Sequence, residues 1–291
     1  MSNKPAGKQA NRARRAAQAH GQRPMRKPVS TTPVWIMPSA IVAGFAVLVA
    51  AFLVYRYYTT PLPQKAPSQA TTDAVITAIT TLQSTELDAI GQGTANNLIK
   101  PVSGPALTGA TGKPEVLYIG AEYCPYCAAE RWSLIIALAR FGTFSGLQTT
   151  SSSSTDVYPN TPTWTFRNAT FSSQYIDFRS VETTDRDQNA LQTPTAAEQA
   201  LLAKYDPPEN IPFVDFGNRY SFTGATYSPE SLANKTWSQI ATDIQDQGSD
   251  QAKAIVGSAN LITAAICKIT SDQPTDVCSS TTIQALEKKL G

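Results

Sequence analysis

The stretch EVLYIGAEYCPYCAAERWSLIIALARFG, residues 115–142, decides how this chain is read. Glu115–Ile119 is a short apolar run that follows Lys113-Pro114, and it reads as a buried strand. Ala128–Phe141 has helix-forming composition, with Trp132, Ile135, Ile136 and Ala139 on one stripe and Gly142 as a stop. Between them lies the turn that carries Cys124-Pro125-Tyr126-Cys127. Cys124 falls near the helix N-cap, and Pro125 takes the first helical position, where its missing N–H costs nothing.

That placement has chemical content. Unpaired N–H groups and the positive end of the helix dipole favour a thiolate over a thiol. A thiolate is the attacking species in disulfide exchange. Two intervening residues let the sulfurs meet as a disulfide and reopen. Cys124 is then the candidate nucleophile and Cys127, one turn deeper, the candidate resolving thiol. Two plainer readings stand beside this one. The pair is half of a zinc site, or it is an inert structural disulfide. The other cysteines, Cys267 and Cys278, have an unusual spacing for the second half of a zinc site. No metal is therefore expected.

Downstream, residues 147–154 read as a second strand with a polar serine end, to which no role is assigned. Thr163–Phe166 and Tyr175–Val181 are strand-like, and residues 194–205 read as a helix. Phe213–Phe216 and Tyr220–Thr223 flank Gly217-Asn218, the signature of two strands joined by a tight turn. Residues 229–245, 249–266 and 280–290 read as helices, and 73–91 as an amphipathic helix upstream. Strand–helix–strand followed by a hairpin and helices indicates an α/β layered fold with a mixed sheet. Cys267 and Cys278 are expected to form a structural disulfide that clips the C-terminal helices, with a relay pair as the alternative.

Upstream, Val34–Tyr55 runs 22 residues without a charge, enough to cross a hydrocarbon core of about 30 Å. Trp35 at one end and Tyr55, Tyr57 and Tyr58 at the other suit the two headgroup zones. Residues 1–33 hold eight basic residues and no acid. The expected order is a basic cytoplasmic tail over 1–33, an anchor over 34–55, a Pro/Thr/Gln-rich stalk over 56–72 and an extracytoplasmic domain over 73–291.

Charge and composition exclude several classes. The whole chain carries Lys+Arg 24 against Asp+Glu 22. Beyond the basic tail, sixteen basic residues face 22 acidic ones, a net of −6, which argues against nucleic acid as a partner. The single histidine, His20, lies in the tail, so the main body holds no Ser-His-Asp or Cys-His pair and no histidine-ligated metal.

Strand–CPYC–helix followed by Ile211-Pro212-Phe213-Val214-Asp215-Phe216-Gly217 resembles the thioredoxin-fold superfamily. The longer string IGAEYCPYCAAERW, with an N-terminal anchor, resembles a family of uncharacterised membrane-anchored thioredoxin-like proteins. The resemblance covers about residues 73–291. It implies a mixed sheet flanked by helices, an inserted segment over 142–210, and a cis peptide at Pro212 facing the cysteines. Pro212, Ile211 and Tyr126 are then the substrate-docking edge. Two positions depart from thioredoxins: Tyr123 stands where a tryptophan is usual, and Tyr118 where a buried acid is usual. Glu122 is the nearby candidate for the proton acceptor of Cys127.

The expectation is a thiol–disulfide oxidoreductase that works on the thiols or disulfides of exported proteins, with a membrane redox partner and no organic cofactor, because the cysteine pair itself stores two electrons. It requires an exposed, acidic first sulfur at the amino end of a helix opposite a cis peptide. The competing reading is a redox-inert binding or scaffold module on the same fold.

Overall fold

A computed structural model describes residues 36–59 and 65–290, with side chains at 41–58 and 65–290. The basic tail 1–33, Trp35 and the middle of the expected stalk, 60–64, lie outside the described residues. The chain divides into two units, one ending at Tyr58 and the other starting at Thr59.

The first unit holds α1, Ile36–Thr59. It runs past the last apolar residue of the sequence window because Arg56, Tyr57 and Tyr58 contain no helix breaker before Pro61. Its Ile41–Tyr58 stretch is long and apolar enough to cross a membrane. None of that stretch is buried against protein, whereas the other helix of similar length and composition, Asp250–Ile269, is 83% buried. The same composition thus serves two ends: the second helix forms a protein core, and the first bares Ile41, Phe45, Leu48 and Phe52. A bare apolar helix of this length can act as a membrane anchor.

The second unit opens with α2 (Gln69–Thr80) and α3 (Ser84–Ile90), where periodicity alone points to one helix over 73–91. The break has a local cause. Thr80 and Thr81 turn their hydroxyls back onto the carbonyls of Ile76 and Thr77, and Gln83 with Glu86 starts a new capping box. The first helix also begins at Gln69, inside the window read as stalk, because Ser68 caps it.

The remaining elements are β1 (Lys100–Pro101), β2 (Glu115–Gly120), α4 (Pro125–Ala139), β3 (Gly142–Ser145), β4 (Gln148–Ser151), β5 (Pro162–Thr165), β6 (Thr170–Ser173), β7 (Asp177–Glu182) and α5 (Ala196–Tyr205). They are followed by β8 (Phe213–Phe216), β9 (Tyr220–Thr223), a 3₁₀ turn at Pro229–Leu232, α6 (Trp237–Gln245), α7 (Asp250–Ile269), α8 (Thr275–Cys278) and α9 (Thr281–Leu290). The fold is α/β with a mixed sheet, ordered β1-β9-β8-β2-β7. β2 runs parallel to β7 and antiparallel to β8. The hairpin turn has Gly217 at φ 60° and Asn218 at φ 56°, the two left-handed residues that a type I′ turn demands.

The segment 142–210 is not a single insertion. β7 within it is a strand of the main sheet, in register with β2 from Glu115↔Asp177 to Gly120↔Glu182. Only the two small ladders, β3–β6 and β4–β5, stand apart from that sheet.

α4 packs on α7 across a largely apolar face tied by two buried hydrogen bonds, Ser133 Oγ to the Ile255 carbonyl at 2.9 Å and Ser258 Oγ to Glu130 Oε1 at 3.1 Å. Where α4 meets β5, Trp132 and Trp164 lie edge to face at 5.3 Å. Each buried side chain of this size contributes roughly 1.5–3 kcal/mol, and Trp132 also satisfies its N–H on the Pro162 carbonyl at 2.9 Å. Cys267 and Cys278 form a disulfide across 11 residues, as expected for a structural clip. A loop of that length contributes about 3 kcal/mol on the chain-entropy account.

Candidate functional site

The cysteine turn forms where β2 ends and α4 begins. Cys124 is the N-cap, with φ −74° and ψ 120°, and Pro125 occupies the first turn. Serine, threonine or aspartate usually fills such a cap. Here the sulfur does: the Cys127 N–H donates to Cys124 Sγ at 3.2 Å. The helix therefore begins on a sulfur that its own backbone would stabilise as an anion.

The two thiols are free, and their environments push them apart. A hydrogen bond from the Cys127 side chain holds the Cys124 thiol below its ordinary range; burial opposes this, and the N–H groups of Cys127 and Tyr126 and the charge of Arg131 add to it. Burial drives the Cys127 thiol well above its ordinary range. One sulfur is disposed to be a thiolate and the other to keep its proton until called on. Cys124 is less exposed than the sequence leads one to expect: it keeps 5% of its surface and Cys127 none. The cause is close packing by Ala121, Tyr123 and Ile211 around both sulfurs.

The structure brings the Ile211–Pro212 segment against the cysteine turn. The Ile211–Pro212 peptide is cis, and Cys124 Sγ lies 3.8 Å from the Ile211 carbonyl oxygen, within reach to donate its S–H. The β2–β8 register, which pairs Ile119 with Phe213, brings this segment beside the cysteine turn. Tyr126 is 41% exposed and meets Tyr158 edge to face at 6.0 Å. Glu122 is buried in the turn, and its backbone N–H donates to the Thr184 carbonyl. The charged side chain that acts on both sulfurs is instead Arg131.

Sequence reasoning missed three features here. Arg131 and Glu182 form a fully buried ion pair, with Arg131 Nε to Glu182 Oε1 at 2.9 Å and Nη2 to Oε2 at 2.7 Å. Glu130, the preceding residue, is buried on the other side of α4 and accepts from the Thr226 N–H and hydroxyl and from Ser258. The serine run, left without a role, is buried over Ser151–Ser153 and ties the loop to the cysteine turn. Ser152 Oγ accepts from the Thr161 N–H and donates to the Tyr158 carbonyl, and the Ser153 N–H donates to the Tyr123 carbonyl. The only signal for the first two was charged residues within an otherwise apolar helix stripe.

Among the described residues, no group of three or more His, Cys, Asp or Glu is placed to hold a metal ion. No curated protein and no solved structure matches the chain. A family model described as Domain of unknown function (DUF929) matches residues 102–210 and 202–268, a span that contains Cys124, Cys127, Arg131, Glu182 and the Ile211–Pro212 edge. That span is more than half of the sequence, and the chain belongs to the DUF929 family.

Proposed function

We propose that this protein is a membrane-anchored thiol–disulfide oxidoreductase with a thioredoxin-like fold, whose domain faces away from the cytoplasm. Its task is disulfide formation, reduction or isomerisation in exported proteins, coupled to a redox partner in the membrane. The observation that carries the reading is the N-cap sulfur: Cys124 accepts the Cys127 N–H at 3.2 Å, and its thiol is held low while that of Cys127 is pushed high. This asymmetry divides the labour that exchange requires. Cys124 attacks a client disulfide and forms a mixed disulfide, with one client thiolate released. Cys127 then attacks Cys124 Sγ, closes the Cys124–Cys127 disulfide and frees the second client thiolate. Two electrons pass from the pair to the client, and the reverse sequence oxidises a client dithiol. Ile211, Pro212 and Tyr126 border the sulfur and would receive the client backbone.

The orientation rests on the eight positive charges before α1, by the positive-inside rule. The mixed sheet with parallel β2 and β7, the antiparallel β8–β9 hairpin and the helix starting on Cys124 support the thioredoxin-like reading.

The test is a trap in the full-length protein. Cys127→Ser should accumulate disulfide-linked adducts with exported proteins that vanish on reduction. Cys124→Ser should accumulate none. A Cys127→Ser protein that stays free of adducts under oxidising growth would sink the reading.

A further inference from the structure

The buried pair Arg131–Glu182 touches the cysteine turn itself. Arg131 Nη2 donates to the Ala121 carbonyl at 2.7 Å, and the Cys124 N–H reaches the same oxygen at 3.4 Å. Ala121 also packs against both cysteines. Arg131 lies four residues beyond Cys127, on the same face of α4. Glu182 is engaged as an acceptor at both oxygens: besides both Arg131 bonds, its Oε1 takes the Phe166 N–H at 3.3 Å. A carboxylate so engaged is a clamp for the guanidinium and not a base. Arg131 Nη1 and Tyr118 Oη, both buried, have no hydrogen-bond partner among the described residues, and the guanidinium lies 5.8 Å from the Tyr118 ring centre. The ionisable groups that act on Cys127 are therefore Tyr118 from β2, Tyr123 and Cys124 from the turn, and Arg131 from its own helix, itself held by Glu182 from β7.

We propose that Arg131 is the positioning residue for the resolving sulfur: clamped by Glu182, its guanidinium pins the Ala121 carbonyl of the cysteine turn and supplies the fixed positive charge beside which Cys127 gives up its proton. The inference rests on the Cys124/Cys127 reading above and assigns the work of the second step. In that step the Cys127 proton passes to water, and the thiolate attacks Cys124 Sγ. The bond from Cys124 to the client sulfur breaks, and the client leaves as a thiolate. A cation raises the thiolate population of a buried thiol where a carboxylate would act by taking the proton.

The test uses the full-length protein in detergent, reduced at Cys124 and Cys127 with the Cys267–Cys278 disulfide intact, and dithiobis-nitrobenzoate as the oxidant. The first release of coloured thiolate reports attack by Cys124; the second reports resolution by Cys127. In the double variant Arg131→Met with Glu182→Gln, which keeps an acceptor for the Phe166 N–H, the ratio of second to first rate at neutral pH should fall about tenfold. The pH midpoint of the second step should rise by about one unit, since thiolate fraction sets the rate. Arg131→Lys keeps the charge and loses the fork, so its ratio should fall about threefold with little change in midpoint. If the double variant fails to fold, judged by circular dichroism, Arg131→Lys decides alone. Wild-type ratios and midpoints in the folded variants overturn the proposal. Absence of a first release in the wild type overturns the oxidoreductase reading itself, and the positioning role with it.

Discussion

Glu182→Ala is expected to lower folding stability by about 3–5 kcal/mol, because it strands a buried cation. Burial works against the charged guanidinium of Arg131, yet the charge and hydrogen bond of Glu182, with Tyr118 and Cys127, together outweigh it and hold the proton more firmly than usual. Both side chains are 0% exposed, so water cannot replace the lost partner. Arg131 already has one nitrogen without a partner, and removing the carboxylate leaves Nε in the same state. Urea unfolding of the full-length protein in detergent measures the loss. The paired change Arg131→Met with Glu182→Gln should cost far less, since it removes charge and counter-charge together. A drop below about 1 kcal/mol for Glu182→Ala would show that the pair contributes no more than an exposed one.

The second large effect concerns pH. Burial raises the Glu130 carboxyl from 4.5 to about 7, opposed by its bonds from Thr226 and Ser258. In the unfolded chain the group ionises near its ordinary value. Between these two points the native state binds a proton that the unfolded state has released, so stability falls as pH rises. The contribution is fully present below about pH 4.5 and is lost as pH climbs through about 7. A shift of this size corresponds to roughly 3 kcal/mol. Asp215, raised by burial to about 6, acts in the same direction over a lower window. Denaturant midpoints at pH 5 and pH 8 should therefore differ in favour of pH 5. Glu130→Gln, which keeps the shape and an acceptor for Thr226, should flatten most of that difference. An unchanged slope in the variant would mean that Glu130 is ionised in the fold throughout.

Legibility in the sequence followed the range of the interaction. The hairpin at Phe213–Phe216 and Tyr220–Thr223 was readable to the residue because Gly217-Asn218 encodes its own turn. The start of α4 was readable because a cap and a proline sit side by side. The break between α2 and α3 was not, since a capping box at Gln83 and Glu86 competes with an apolar period that runs straight through it. Arg131 and Glu182 were out of reach for a different reason. They are 51 positions apart and meet only once β7 lies parallel to β2, a register set by whole-sheet packing. The exposure of Cys124 was overestimated because one of the covering residues, Ile211, arrives from the distant segment that leads into β8.

The tie between Ser153 and Tyr123 joins main chain to main chain, and the loop that carries it hangs from the β4–β5 ladder rather than the central sheet. The exposed side chains of Ser154 and Val157 on that loop can thus be replaced with little disturbance to the sulfur geometry. Under the oxidoreductase proposal, the rim formed by that loop and the chemistry of the turn become separately adjustable parts of one site.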